Sequence, residues 1–170
     1  MKTSGETYLT FSIDEKPFAI PLQHIKRVVR AVSATTVPES SKKLHGVINF
    51  EGTIVPLINL RECLGLPSKD ISVNDSFLIL NTPQRLLAVT VDAVNKLYDI
   101  SEDELSNIEI PARRNNNKSS STITLKHHRV YGDEEGIIVI YDIEGLLNAE
   151  MTLQIDQLLD DFLKTNKGGR

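Results

Sequence analysis

The sequence predicts an all-β fold made of two similar lobes related by a pseudo-two-fold axis. Three observations support this prediction. Short apolar blocks rich in Val, Ile and Phe are separated by turn residues, one stretch of the first half recurs in the second half, and few stretches have helical spacing. A chain of 170 residues can bury a core in one domain without disulfides or metals.

Seven blocks are predicted as strands because their apolar residues alternate or run together between turn signals. These blocks are Tyr8–Ile13, Phe18–Leu22, Gly46–Phe50, Thr53–Leu57, Ser76–Leu80, Leu86–Val91 and Gly136–Tyr141. Turn signals such as Asp14–Pro17 and Glu51-Gly52 lie between them, since Asp and Gly accept turn geometries and Pro presets φ. Many short strands joined by tight turns favour a small barrel or sandwich.

The internal repeat matches Tyr8–Val28 with Phe77–Leu97 without a gap. Each copy is a predicted β-hairpin followed by an apolar residue at every third position. The matched pairs include Leu9 with Leu78, Ile25 with Val94, and Val28 with Leu97. A weaker similarity relates Ile54–Leu57 to Ile137–Ile140. A duplicated unit predicts two lobes with a groove between them, although alternating β sequences also resemble one another by chance.

Two stretches are predicted to be helical. Leu57–Leu66 continues directly from a strand, and Thr152–Leu163 has apolar residues at roughly helical spacing with acidic residues on the other side. The apolar set of the second stretch is Leu153, Ile155, Leu158, Leu159, Phe162 and Leu163. We expect this second helix to cap the β domain.

The domain boundaries follow from these elements. The main domain is predicted over residues 5–150, a C-terminal helix packing on it over 151–165, and a disordered tail over 166–170. Arg113–Ser121 (RRNNNKSSS) is polar, basic and low in complexity, which predicts a mobile loop.

Composition excludes several classes of protein. Lysine and arginine total 19 against 23 acidic residues, which gives a net charge of −4. Most nucleic-acid binders instead have an excess of positive charge. Aromatic residues make up only 5% and Trp is absent, so few platforms exist for stacking bases. Cys63 is the single cysteine, and no signal peptide or membrane-length apolar run is seen. We therefore expect a cytoplasmic protein with no nucleic-acid partner.

Catalytic and metal-binding patterns are also missing from the sequence. Cys63 lies among leucines, where a small buried hydrophobe is the common outcome. His127 and His128 are neighbours, so in a strand they point to opposite faces and cannot readily chelate one ion. A phosphate-binding loop needs a glycine-rich turn between a strand and a helix, followed by a Lys-Ser/Thr pair, and the glycines of this sequence do not have that arrangement. The sequence therefore predicts no enzyme, no cofactor and no metal site.

The most specific signal is the block Gly46–Gly65, GVINFEGTIVPLINLRECLG. It is preceded by Phe18–Leu22 and followed by Ala88–Val94, and the order of the three blocks resembles the CheW family. Members of that family couple bacterial chemoreceptors to the histidine kinase CheA. The resemblance extends over nearly the whole chain and ends with Ile137–Leu147, which is similar to the closing strand of the family.

The resemblance implies a fold and a set of partners. The fold would be two SH3-like five-stranded β-barrel lobes about a pseudo-two-fold axis, with a short helix after the Gly46–Leu57 strands and a C-terminal helix. The partners would be the regulatory domain of a CheA-type kinase and the cytoplasmic tip of methyl-accepting chemoreceptors. The protein would then be recruited to membrane-associated receptor arrays without inserting into the membrane.

The same resemblance places a hydrophobic receptor groove between the lobes. Its predicted lining is Leu9, Leu22, Ile25, Val28 and Val94. An amphipathic receptor helix could bury apolar anchors there. The alternative is that these are ordinary core residues, and this alternative is strongest for Leu9.

Two departures from the family pattern concern charge. Where the family usually has Arg before a glycine, this chain has Glu51 before Gly52, and where many members have an acidic residue in the apolar stripe, it has Arg27. We hypothesise that Arg27 and Glu51 form a charge-swapped ion pair that alters partner choice, with Arg27, Glu51 and Gly52 contacting partners. The alternative is two unrelated surface charges.

These observations predict a non-catalytic adaptor that couples chemoreceptors to a CheA-type histidine kinase. An alternative within the class is a divergent CheW-like scaffold for a non-standard array or a non-motility pathway. From other classes, the alternatives are a small-barrel ligand-binding protein or enzyme and, with the least support, a nucleic-acid binder.

Overall fold

The computed structural model describes residues 4–108 and 128–167, and the predicted loop Arg113–Ser121 lies outside these ranges. The described strands are β1 (Glu6–Ile13), β2 (Lys16–Pro21), β3 (Ile25–Arg30), β4 (Leu44–Phe50), β5 (Thr53–Ile58), β6 (Ser76–Asn81), β7 (Leu86–Val91), β8 (Ala93–Ile100), β9 (Ser106–Ile108), β10 (His128–Asp133) and β11 (Gly136–Ile140). The described helices are α1 (Leu60–Leu64), α2 (Ile143–Leu146) and α3 (Ala149–Lys167), and Leu22–His24 and Glu102–Glu104 are 3₁₀ turns.

The strands form two sheets, which define the two lobes. Lobe A has the order β8-β1-β2-β11-β10-β9, and lobe B has the order β3-β6-β7-β5-β4. The orders match strand for strand when β1, β2 and β3 are equated with β6, β7 and β8, and each contains one parallel pair, β2 with β11 or β7 with β5. The repeat and the pseudo-two-fold relation are thus confirmed, with β9 as an addition to lobe A. Because β3 lies in lobe B and β8 in lobe A, the lobes exchange edge strands.

Neither lobe is a closed barrel in the described part of the chain. The edges of lobe A are β8 and β9, and those of lobe B are β3 and β4. Each described sheet is therefore open, but in lobe B the segment after β3 also forms an isolated antiparallel bridge to β4, between Thr35 and Val47.

The core follows from the alternation of side chains along each strand. On β6, Leu78 and Leu80 belong to a central apolar cluster shared by both lobes, whereas Phe77 and Ile79 lie in a cluster inside lobe B. On β1, Leu9 and Phe11 contribute to the central cluster and Tyr8 contributes to a smaller cluster inside lobe A. The two lobes are held together mainly by the central cluster.

The strands β3 and β8 were not predicted as strands, because their apolar residues recur at every third position. A register shift between Ile25 and Arg27 places an additional residue in β3. Such a bulge turns the following side chain to the other face, so Ile25 and Val28 share one face although they are three residues apart. The pairing of β1 with β8 has a register shift at the corresponding place.

The helix α1 is shorter than the predicted Leu57–Leu66, since residues to Ile58 complete β5. Its N-cap is Asn59, whose side chain accepts a hydrogen bond from the Glu62 backbone N–H at 3.4 Å. It ends at Gly65, whose φ of 69° is favourable for glycine. The corresponding helix α2 is capped by Asp142.

The C-terminal helix α3 begins earlier and ends later than predicted. The Asn148 side chain accepts a hydrogen bond from the Met151 N–H at 2.9 Å, which fixes the first turn. Met151, Ile155 and Leu158 are buried in the central cluster. Two of the apolar residues predicted to pack are instead exposed, namely Leu153 and Leu163. The buried face is narrower than the sequence pattern predicted.

Candidate partner-binding surfaces

The edge strand β3 presents the first part of the predicted groove. Ile25 is partly buried against the central cluster, and Val28 is 41% exposed. Their cross-strand partners, Leu80 and Leu78, both belong to the central cluster, so the two side chains lie on the face of β3 that is directed toward the other lobe.

The edge strand β8 presents the equivalent part from lobe A. Val94 is partly buried against the central cluster and pairs with Phe11, while Leu97 is 55% exposed and pairs with Leu9. The prediction of groove residues omitted Leu97, although the internal repeat matches it with Val28. The signal was therefore present in the sequence. We call Ile25 and Val28, together with Val94 and Leu97, the groove walls.

The other two predicted groove residues differ in exposure. Leu22 lies in the 3₁₀ turn before β3 and is 38% exposed, so a partner can reach it. Leu9 is 8% exposed and lies in the central cluster. It is therefore a core residue, as in the alternative interpretation of the groove residues. A partner cannot reach Leu9 without disturbing the core.

Arg27 and Glu51 form the predicted ion pair. Arg27 Nη1 donates to Glu51 Oε1, and the guanidinium carbon lies 5.7 Å from the centroid of the Phe50 ring. Arg27 is on β3 and Glu51 is in the turn after β4, so the pair joins the two opposite edges of lobe B. Both side chains are more than half exposed, and an ion pair of this kind adds little stability.

The turn that carries Glu51 is a two-residue hairpin turn. Glu51 and Gly52 have φ of 50° and 85°, and the Asn49 side chain accepts a hydrogen bond from the Gly52 N–H at 2.9 Å. Positive φ at both central residues matches the twist of the flanking strands and favours glycine at the second. Gly52 thus shapes the turn that positions Glu51 beside Arg27.

A polar cluster joins α1 to the β1–β2 turn at the junction of the lobes. The Arg61 guanidinium contacts Asp92 at 2.6 Å and Asp14 at 3.7 Å, and Asp92 also accepts a hydrogen bond from the Asp14 N–H at 2.8 Å. Nearby, the buried Asp75 carboxylate contacts Lys69 Nζ at 2.8 Å. Sequence reasoning missed this cluster, since nothing in the local pattern relates these positions.

The chemistry of the described residues is that of contact surfaces. Burial raises the pKa of the Cys63 thiol to about 11, so it is a weak nucleophile near neutral pH. Residues 4–108 and 128–167 contain no group of three or more His, Cys, Asp and Glu side chains that could hold a metal. His127 of the predicted histidine pair lies outside them. None of the described helices is long and apolar enough to cross a membrane.

Comparison with known proteins decides the family. The model of the CheW-like domain matches residues 7–151, most of the chain. The chain belongs to the CheW-like family. It is 25% identical over 147 residues to the chemotaxis protein CheW of Bacillus subtilis, covering 86% of this chain and 90% of that protein. It is 34% identical over 97 residues to CheW of Thermotoga maritima, covering 57% of this chain and 64% of that protein.

The solved structures show the same fold. The crystal structure of the scaffolding protein TtCheW from Thermoanaerobacter tengcongensis matches with a TM-score of 0.66 and 22% identity, covering 82% of this chain and 85% of that one. With the family match, this confirms the predicted two-lobe fold. The protein is a non-catalytic chemotaxis coupling adaptor, and neither the divergent pathway nor an enzymatic role is favoured.

Proposed function

We propose that this adaptor binds the cytoplasmic tip of methyl-accepting chemoreceptors in the groove between its lobes, and the regulatory domain of a CheA-type histidine kinase through one lobe. It would act in the cytoplasm at membrane-associated receptor arrays, with 5–150 as the coupling domain. The observation that carries this proposal is the pair of apolar groove walls, in which Val28 and Leu97 occupy equivalent positions and are both exposed.

An amphipathic helix fits such a surface because it can cover apolar side chains from both lobes at once. Val28 and Leu97 are the exposed members, while Ile25 and Val94 form the floor against the central cluster. Covering an exposed Val or Leu side chain contributes about 1 kcal/mol, or roughly a fivefold change in affinity. Replacing either residue with a charged one adds a desolvation cost, so the loss should reach at least about tenfold.

The experiment measures binding to a helical receptor-tip fragment and to a kinase regulatory-domain fragment by calorimetry. Val28→Asp and Leu97→Asp should each weaken receptor binding about tenfold or more and leave kinase binding within about twofold. Val73→Asp is the matched control, because Val73 is 79% exposed and lies outside the groove walls. Receptor binding unchanged in both groove variants, or weakened equally by the control, would contradict the proposal.

The ion pair of Arg27 and Glu51 is proposed as a determinant of partner choice. Its energy in the isolated protein is small, whereas its orientation decides which charges face a docking partner. Reversing both signs in the double variant Arg27→Glu with Glu51→Arg keeps the attraction and inverts the order of charges. We expect the kinase fragments preferred by the double variant and by the wild type to differ. Identical preferences would refute the role.

A further inference from the structure

Lobe A contains a cavity at positions that are filled by apolar side chains in lobe B. The cavity has a volume of about 280 Å³ and lies between β8 and the β10–β11 hairpin. This volume is close to the lower limit of about 300 Å³ for pockets that bind small ligands. The residues that line it include Thr10, Lys96, Tyr98, Asp133, Glu135 and Ile138.

The hairpins of the two lobes can be matched through their parallel strand pairs. Ile140 lies opposite Ala19 in lobe A, and Leu57 lies opposite Ala88 in lobe B. The internal repeat matches the two alanines, so the β10–β11 hairpin corresponds residue for residue to the β4–β5 hairpin. Each position around the cavity therefore has a defined counterpart in lobe B.

The matched positions differ in polarity. Thr10 and Asp133 line the cavity, and their counterparts in lobe B are Ile79 and Phe50. Ile79 and Phe50 are buried in the apolar cluster inside lobe B. Two further counterparts pack against that cluster, namely Leu86 for Pro17 and Val29 for Tyr98. Because unfilled space in a core lowers stability, the loss of these side chains from lobe A favours a function for the space.

The cavity has a buried inner side and a charged rim. Thr10 and Ile138 are 2% and 7% exposed, so the cavity reaches into the lobe. The Thr10 hydroxyl donates to the Lys96 carbonyl at 2.8 Å and accepts from the Lys96 N–H at 3.1 Å, so its hydrogen-bonding groups are already engaged. At the rim, the side chains of Lys96 and Glu135 are more than half exposed. A ligand with an apolar body and one charged end matches this arrangement.

The groups at the rim favour a positive charge. One cationic side chain, Lys96, faces two acidic ones, Asp133 and Glu135, so acidic charge is in excess. Lys96 Nζ lies 3.2 Å from Glu135 Oε2 and 5.0 Å from the centroid of the Tyr98 ring. Tyr98, followed by Glu135, raises the pKa of Lys96, so both groups stabilise a cation at this position. A carboxylate beside an aromatic face also suits an organic ammonium ligand.

We propose that the lobe A cavity binds a small organic cation, whose apolar body lies against Ile138 and whose ammonium group lies between the Glu135 carboxylate and the Tyr98 ring. The ligand displaces the Lys96 ammonium, which is exposed and can turn toward solvent. The cavity is separate from the groove walls, so this binding does not depend on the proposed function.

The test titrates the full chain with benzylamine and follows the backbone amide shifts by NMR. Benzylamine carries one ammonium group on an apolar ring, and benzyl alcohol and benzoate are neutral and anionic probes of similar size. We expect saturable shifts at the amides of Tyr98 and Ile138, with a dissociation constant on the order of 1 mM for a probe of this size. The other two probes should bind at least about threefold more weakly.

Two variants with opposite expected effects locate the ammonium group. Glu135→Gln removes the carboxylate and should weaken benzylamine binding about threefold or more. Lys96→Gln removes the competing ammonium and should strengthen binding about threefold. Glu134→Gln is the matched control, because it makes the same charge change in the same turn at an exposed residue that does not line the cavity. It should leave the affinity within about twofold.

Filling the cavity tests where the probe lies. Thr10→Ile introduces the residue that lobe B has at the matched position and should abolish the benzylamine shifts at Tyr98. If this variant does not fold, Ile138→Phe gives the same comparison. The absence of saturable shifts, benzoate binding as tight as benzylamine binding, or weaker benzylamine binding by Lys96→Gln would each overturn the proposal. So would an affinity that neither Glu135→Gln nor the filled cavity changes, since the probe would then bind elsewhere.

Discussion

Replacing Gly46 with alanine should destabilise the protein far more than an ordinary glycine substitution. Gly46 has a φ of 129°, and a Cβ placed there would lie 2.1 Å from the Thr35 carbonyl oxygen. The neighbouring contacts are also backbone atoms, namely the Thr35 carbonyl carbon at 2.8 Å and Thr36 Cα at 3.0 Å. Backbone cannot move aside as a flexible side chain could, so the segment that contains Thr35 must separate from β4.

The magnitude follows from what that separation breaks. The Thr35 N–H donates to the Val47 carbonyl at 2.8 Å, and the Val47 N–H donates to the Thr35 carbonyl at 2.9 Å. Two such hydrogen bonds are worth about 1 kcal/mol each. The backbone conformation of Gly46 costs an alanine about 1–3 kcal/mol. We expect the free energy of unfolding to fall by about 3–5 kcal/mol, out of a total of about 5–15 kcal/mol for a typical domain.

Urea unfolding followed by circular dichroism measures this loss, with Gly65→Ala as the matched control. Gly65 also has a positive φ of 69°, but apart from its own local backbone no atom lies within 4 Å of the position that a Cβ would occupy. Its substitution should therefore cost only about 1 kcal/mol, from the backbone conformation alone. A Gly46→Ala variant that loses no more stability than Gly65→Ala would refute the reasoning from the Thr35 contact.

Three further predictions concern single side chains. Leu9→Ala should lower the free energy of unfolding by about 2–5 kcal/mol because Leu9 is a core residue. Val28→Ala should change it by about 0.5 kcal/mol or less because Val28 is exposed. Equal losses of stability in urea unfolding would contradict the buried position of Leu9 and the exposed position of Val28. Burial lowers the pKa of His45 in the folded protein. As the pH drops, His45 is therefore protonated in the unfolded chain, near the ordinary histidine pKa of about 6.5, before it is protonated in the folded protein. The free energy of unfolding should fall as the pH drops below that ordinary pKa. His45→Gln should lose this part of the pH dependence, and an unchanged slope in acid would show that His45 is not its source. Cys63 is 6% exposed and its pKa is raised to about 11, so iodoacetamide at pH 8 should label it at least about a hundredfold more slowly in the folded protein than in urea; comparable rates would contradict its burial.

The strands that the sequence predicted have an unbroken period of two, but β9 and β10 were not predicted although their pairing has no register shift. β6 and β7 alternate cleanly between the two apolar clusters that they contact, and turn residues mark their ends. β3 and β8 were missed because a single additional residue changes the spacing of their apolar side chains from two to three. The helix α3 was found, but its exposed Leu153 and Leu163 were not, because the width of a buried face depends on the surface against which the helix lies.

The residues of the candidate sites could likewise be predicted only where a pattern in the sequence marks them. The pairing of Arg27 with Glu51 could be predicted because both residues depart from a family pattern in sign, and Leu97 could have been found by applying the internal repeat to Val28. The same repeat matches Lys96 with Arg27, but it does not identify Glu135 as the partner of Lys96. They are brought together only by the topology of lobe A, in which the first and second halves of the chain contribute strands to one sheet.

The exchange of edge strands gives a physical reason why a duplicated unit suits an adaptor. β3 follows the hairpin of lobe A along the chain but pairs in lobe B, and β8 follows the hairpin of lobe B but pairs in lobe A. Each groove wall is therefore continuous in sequence with one lobe and hydrogen-bonded into the other, while the central cluster fills the space between them. A displacement of either lobe must move a wall that the other lobe also holds. Two independent barrels on a linker would transmit no such displacement, so under the proposed function a partner bound to one lobe would alter the groove.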